Sequence, residues 1–150
     1  MNYKIFGAIC LGSVEQELCI YEVRSGGTIR TLEKAATVLP LSTDTFGGGR
    51  ISLESLDALC AMLKKYREVM DSYKVDAYKA YATVAIREAE NCDIVLDRIK
   101  VVTGLDIELI SNSEQRYLNY KALAHNEGEF YESIKSGTLI LDTGYGSLQF

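Results

Sequence analysis

The sequence has a single histidine, His125, and its four cysteines, Cys10, Cys19, Cys60 and Cys92, form no C-x-x-C pair. Zinc sites draw on closely spaced Cys and His, so none is readable here. Long apolar runs are also missing. None approaches the ~20 residues of a membrane-spanning helix, and the N-terminus has no signal-peptide pattern, so the expectation is a cytoplasmic protein with no membrane partner. Clustered Lys and Arg are absent too. With a net charge of −5, this argues against a nucleic-acid partner, because neutralising phosphates takes a basic patch. The segment Pro40 to Arg50 carries Gly47-Gly48-Gly49 but lacks the G-x-x-x-x-G-K-S/T of a P-loop. It reads as a flexible polar loop rather than a phosphate cradle.

What is present fits one folded domain. The 150 residues, 47% apolar and 25% charged, have an ordinary globular balance and can bury roughly 70% of the surface they would expose unfolded. The most informative stretch is the last, Thr138 to Phe150, T-L-I-L-D-T-G-Y-G-S-L-Q-F. An apolar run, Leu139 to Leu141, stops at Asp142, and Gly144, Gly146 and Ser147 follow. A buried strand ending this way presents a carboxylate and bare backbone N–H groups at its tip, which suits phosphate and, through Asp142, a divalent cation. A β-hairpin whose turn needs glycine is the plainer alternative. A weaker copy, Ile5 to Ser13, again runs into Gly12-Ser13 and has Cys10 where the second copy has Asp142.

Between these two copies the patterning predicts strands over Lys4 to Leu11, Leu18 to Arg24 and Ile29 to Val38, the last two joined across Gly26-Gly27. Ser52 is an N-cap for a helix through Tyr73, with Leu56, Leu59, Leu63, Tyr66 and Met70 inward. A strand over Ala77 to Ala82 follows, then a helix over Asp93 to Val102 closed by Gly104. Ile107 to Ile110 is the next strand, and Ser111-x-x-Glu114 is a capping box opening a helix to about Ala124. His125 to Gly137 reads as a polar link, with His125 solvated. This order predicts a mixed α/β sheet: an antiparallel meander beside parallel strands joined by right-handed helical crossovers. The carboxyl ends of the parallel strands then share an edge with the Gly12-Ser13 turn, where open α/β sheets bind ligands.

Several short stretches together resemble the N-terminal part of the Ppx/GppA phosphatases, the exopolyphosphatase and guanosine pentaphosphate phosphohydrolase family. Y-A-T-V-A-I-R-E-A-E-N at Tyr81 to Asn91 resembles A-T-S-A-L-R-E-A-x-N, and G-A-I-C-L-G-S-V resembles A-x-D-x-G-S-N-S. T-G-L-D-I-E-L-I-S-N-S-E-Q resembles T-G-x-x-I-E-I-I-S-G-x-E-E, and L-I-L-D-T-G-Y-G-S resembles V-I-D-I-G-G-G-S. The resemblance implies the ribonuclease-H-like architecture of actin and sugar kinases, a mixed sheet with helices on its faces. It divides the chain into a first lobe, 1–124, a link, 125–137, and the opening strand and phosphate loop of a second lobe, 138–150. It implies phosphoanhydride hydrolysis with Mg²⁺ on polyphosphate or guanosine pentaphosphate, and leaves a homodimer open. The phosphate-binding residues carried over are Gly12, Ser13, Arg87, Gly144, Gly146 and Ser147, and Asp142 is carried over as a catalytic and metal-holding residue. Thr83 and Asn91 are also retained, Asn91 as a ligand or a helix cap.

The departures fall where the chemistry would be. Gln115 stands at the position of the family's catalytic glutamate, and an amide cannot accept the proton of the attacking water. Glu114, one residue earlier, is the neighbouring carboxylate and reads as the capping-box glutamate. Cys10 replaces an aspartate, and a thiol is a poor ligand for Mg²⁺. Glu15 and Glu17 replace a serine and a basic residue on one strand face. A carboxylate about 6 Å from a phosphate charge, at an effective dielectric of about 20, opposes binding by roughly 3 kcal/mol. Tyr145 replaces a glycine of the second loop. Three classes of function follow: a phosphohydrolase, a degenerate module binding a phosphorylated ligand or a protein, and a structural lobe of a longer protein.

Overall fold

The computed structural model describes residues 3–126, 134–135, 137, 139–144 and 148–149. Strands β1 (Tyr3–Leu11), β2 (Glu15–Arg24) and β3 (Ile29–Val38) form the antiparallel meander. Strand β4 (Ala77–Ala82) lies parallel to β1, with Phe6 opposite Ala77 and Leu11 opposite Ala82. Strand β5 (Glu108–Leu109) adds in parallel to β4. The order β3-β2-β1-β4-β5 puts β1 in the middle of a mixed five-stranded sheet, as the sequence pattern predicted.

Alternation decides which side of each strand is dry. Gly7, Ile9 and Leu11 on β1, and Gln16, Leu18 and Ile20 on β2, are buried on the inner face. The helix α2 (Leu53–Ser72) belongs to the same core through Leu56, Leu59, Leu63, Tyr66 and Met70, each three or four residues after the last. Ser52 caps it, its Oγ accepting the Ser55 N–H at 3.2 Å. A Cβ added at Gly7 would lie 2.8 Å from Met70 Sδ, so glycine there allows helix and strand to approach. Burying a leucine or isoleucine in such a layer contributes roughly 1.5–3 kcal/mol. The helix α4 (Cys92–Thr103) packs beside α2 and adds Val95 and Ile99, ending at Gly104 as expected.

Three expectations need correction, and one short helix was not foreseen. The segment Pro40 to Arg50 is not a loop: Leu41–Gly48 forms a helix, α1. Leu41 is fully buried, and the Thr45 hydroxyl donates to the Ala85 carbonyl at 2.7 Å, so tertiary contacts outweigh the helix-weakening glycines. A four-residue helix, α3 (Val84–Arg87), lies inside the Tyr81 to Asn91 motif. His125 belongs to the last turn of α5 (Asn112–Asn126) rather than to a link, though it is exposed. Leu139 and Leu141, expected in a buried strand, are 77% and 59% exposed. Pairing begins only at Asp142: β6 (Asp142–Thr143) runs antiparallel to β7 (Leu148–Gln149) in a separate two-stranded sheet.

Candidate functional site

The carboxyl ends of β1, β4 and β5 are tied in series. Thr83 donates both its N–H and its hydroxyl to the Leu11 carbonyl at 3.0 Å, and the Ile110 N–H donates to the Ala82 carbonyl at 3.2 Å. Thr83, 6% exposed, therefore spends its hydroxyl on the scaffold.

At the β1–β2 turn the Gly12 N–H donates to the Glu15 carbonyl at 3.2 Å, so this amide is already engaged. A Cβ at Gly12 would come within 2.6 Å of that same oxygen, which makes glycine a steric requirement of the turn. Ser13 is buried, and its carbonyl accepts the Ser42 N–H at 2.9 Å. Beneath them Gln16, wholly buried, donates from Nε2 to the carbonyls of Gly12 at 3.2 Å and Leu39 at 2.9 Å. Gln16 went unrecognised in the sequence. Its signal is an amide in the inward set that Leu18 and Ile20 continue.

The outer face at this edge carries Cys10, Glu15 and Glu17. Glu15 and Glu17 do share one face, but Glu17 is paired with Lys34 at 2.8 Å, which lowers its opposition to an anion. Cys10 keeps solvent exposure. The protein crowded around it, then Glu17, then Cys19 push its thiol above the ordinary cysteine value, so it is mostly protonated at neutral pH. Among the described residues no three His, Cys, Asp or Glu side chains converge to hold a metal ion. A protonated thiol does not fit Mg²⁺, which takes oxygen donors.

The third part of the edge joins α3 to the start of α5. Arg87, with an 18% exposed side chain, donates from Nε to Glu88 at 3.1 Å, from Nη1 to the Ile110 carbonyl at 2.6 Å and from Nη2 to Asn112 Oδ1 at 2.7 Å. The expected ion pair with Glu88 is thus present, and Arg87 stands at the sheet edge beside Ile110 and Asn112. Glu114 closes the expected capping box: its Oε2 accepts the Ser111 N–H and hydroxyl, both at 2.8 Å, and Ser111 Oγ accepts the Glu114 N–H at 3.2 Å. These bonds hold its carboxyl below the usual range. Gln115, the next residue, is half-buried.

Asn91 stands at the N-cap position of α4, but its side chain makes no capping bond. Its amide brackets one residue, accepting the Ile51 N–H at 3.0 Å and donating to the Ile51 carbonyl at 2.9 Å. Arg87, Asn112, Glu114 and Gln115 therefore gather around the first turn of α5, while Gly12 and Ser13 sit across the Leu11–Thr83 tie. Gly144 follows β6 and is exposed. The side chain of Asp142, and Tyr145, Gly146 and Ser147, lie outside the described residues.

A mixed sheet with β1 at its centre, helical crossovers on its inner face and a glycine turn at its carboxyl edge defines an actin/sugar-kinase-like α/β lobe. Residues 19–150 match the model of the Ppx/GppA phosphatase family, and the chain belongs to that family. That match begins beyond Cys10 on β1 and Glu15 and Glu17 on β2. The chain is 26% identical over 143 residues to exopolyphosphatase 1 of Mycobacterium tuberculosis, covering 95% of this chain and 40% of that protein. It is 26% identical over 155 residues to a bifunctional 3-dehydroquinate synthase/phosphatase of Fusobacterium nucleatum, covering 99% of this chain and 23% of that one. The crystal structure of the Aquifex aeolicus Ppx/GppA family member superposes with a TM-score of 0.80 at 28% identity, over 84% of this chain and 41% of that one. The chain thus spans about two-fifths of the exopolyphosphatases it resembles. Among the described residues no helix is long and apolar enough to cross a membrane.

Proposed function

We propose that this chain forms one wall of a Ppx/GppA-type cleft, holding the phosphate chain of a polyphosphate or guanosine pentaphosphate against Arg87, and that hydrolysis by it is slow or absent. The family and its exopolyphosphatase relatives support a phosphoanhydride ligand. The observation that carries the reading is the first turn of α5. Its one carboxylate there, Glu114, is held by Ser111 and has a lowered pKa, which makes it a weak base near neutrality. Its neighbour Gln115 has no basic group to offer. A positioned general base contributes typically 10²- to 10⁴-fold in rate, and neither residue supplies it. Arg87 has five N–H donors, of which three are engaged, and its planar fork suits phosphate oxygens. No metal-assisted step is drawn, because the donors described do not fit Mg²⁺.

Calorimetric titration with polyphosphate at low salt tests the binding half. Arg87→Ala should abolish the heat of binding, and Glu15→Ser should strengthen binding, with the gain shrinking as salt screens the charge. Glu17→Ser should change less, because Lys34 already offsets that carboxylate. Binding that is indifferent to Arg87 would place the site elsewhere. No binding at all would leave the lobe a structural role.

A further inference from the structure

Two oxygens of a phosphate can meet a guanidinium along either of two edges, one made by Nε and Nη2, the other by Nη1 and Nη2. In this chain every one of those nitrogens has a partner: Nε with Glu88, Nη1 with the Ile110 carbonyl and Nη2 with Asn112. With three of the five N–H groups engaged, a phosphate on the Nε–Nη2 edge must break the Glu88 contact, and on either edge it meets Nη2, where Asn112 Oδ1 already sits at 2.7 Å. The three contacts differ in what it costs to break them. Glu88 carries an opposite charge, and the Ile110 carbonyl is main chain at the end of the sheet. Asn112 offers a neutral amide oxygen from an exposed side chain at the first position of α5. It also engages one of the two N–H groups of Nη2, the nitrogen both edges share, and crowds the other with an acceptor oxygen.

We infer that Asn112 is an internal competitor for the anion site of Arg87, a residue that sets affinity by occupying the arginine until a phosphate displaces it. The inference rests on the reading of Arg87 as the anion contact. Asn112 takes no part in capping α5, which Ser111 and Glu114 do between themselves. Its replacement should therefore leave the helix start in place.

The test is calorimetric titration of inorganic tripolyphosphate, at low salt, into the wild-type chain, Asn112→Ala, Asn112→Asp and Arg87→Gln, with thermal melts of each. Asn112→Ala should bind about three- to tenfold more tightly than wild type, the range supported by one net hydrogen bond. Asn112→Asp, which holds the guanidinium with a charge, should bind more weakly than wild type, although an acidic residue at a helix start favours stability. Arg87→Gln should bind least. If Asn112→Ala binds no more tightly than wild type while Arg87→Gln is weak, the competitor inference is wrong and the Arg87 site stands. Affinities that simply follow the melting temperatures, with Asp at least equal to wild type and Ala below it, also overturn it, since Asn112 then only braces α5. Arg87→Gln binding as well as wild type, or no binding by any variant, overturns both the inference and the Arg87 site.

Discussion

On the inner face of the sheet Ile9, Leu11, Leu18 and Ile20 are fully buried, whereas Cys10, Glu15 and Glu17 alternate with them on the outer face and keep contact with water. The same two strands obey two sets of constraints, separated only by the two-residue period of the pleat. Inward positions are fixed by packing, where one methylene matters. Outward positions and the strand ends can change their chemistry at little cost to the fold. This explains how the chain keeps a TM-score of 0.80 to a family structure at 28% identity while a thiol and two carboxylates stand on the outer face of β1 and β2.

The comparison is sharpest in stability. Leu63→Ala, at a site with no exposure, should cost about 2–5 kcal/mol, whereas Val38→Ala, 73% exposed, should stay within about 0.5 kcal/mol. Denaturant midpoints that moved equally would erase the distinction between the packed layer and the open outer face. Gly12→Ala tests whether the edge is as constrained as the core. Its new Cβ meets backbone rather than a flexible side chain, at 2.6 Å, so a loss of about 1–3 kcal/mol is expected. An unchanged melting curve would mean that the turn relaxes freely. Asn91→Ala, which strips the bracket from Ile51, should cost about 1–3 kcal/mol and leave tripolyphosphate affinity unaltered. A change in affinity at unchanged stability would return Asn91 to the ligand site.

The smallest expected effect is electrostatic. The N–H of Ser52, then its hydroxyl, then Ser55 hold the Asp44 carboxyl below its usual range. A depressed folded pKa means that the contribution is present above the unfolded value and is lost as pH falls through the lower folded one. Unfolding free energies measured from pH 7 down to pH 3 should therefore converge for wild type and Asp44→Asn at the acid end. A gap that stayed constant would assign the effect to shape rather than charge.

Much of this division is legible in the sequence because its causes are local. The strands β1 to β4 follow from alternation, α2 from the spacing of Leu56, Leu59, Leu63 and Tyr66, and the role of Glu114 from its distance of one turn from Ser111. What was missed depends on residues far apart along the chain. The helix α1 is secured where Thr45 reaches Ala85, and Asn91 finds its partner in Ile51, 40 residues away. Asn112 gains meaning only once α3 has brought Arg87 beside it. Leu139 and Leu141 carry a strand pattern but are exposed, because an apolar run is buried only when another layer covers it. The second glycine loop, with Gly146 and Ser147, falls outside the described residues.

As proposed above, this chain keeps the family scaffold and an arginine contact for phosphate while lacking a general base. Phosphate release from long-chain polyphosphate with Mg²⁺ tests it most directly, with exopolyphosphatase 1 of Mycobacterium tuberculosis assayed alongside and Glu114→Gln as the paired variant. Release should lie at least a hundredfold below that relative, with the same residual rate for wild type and Glu114→Gln. Release at a comparable rate, abolished by Glu114→Gln, would contradict it and make the capping carboxylate the catalytic base.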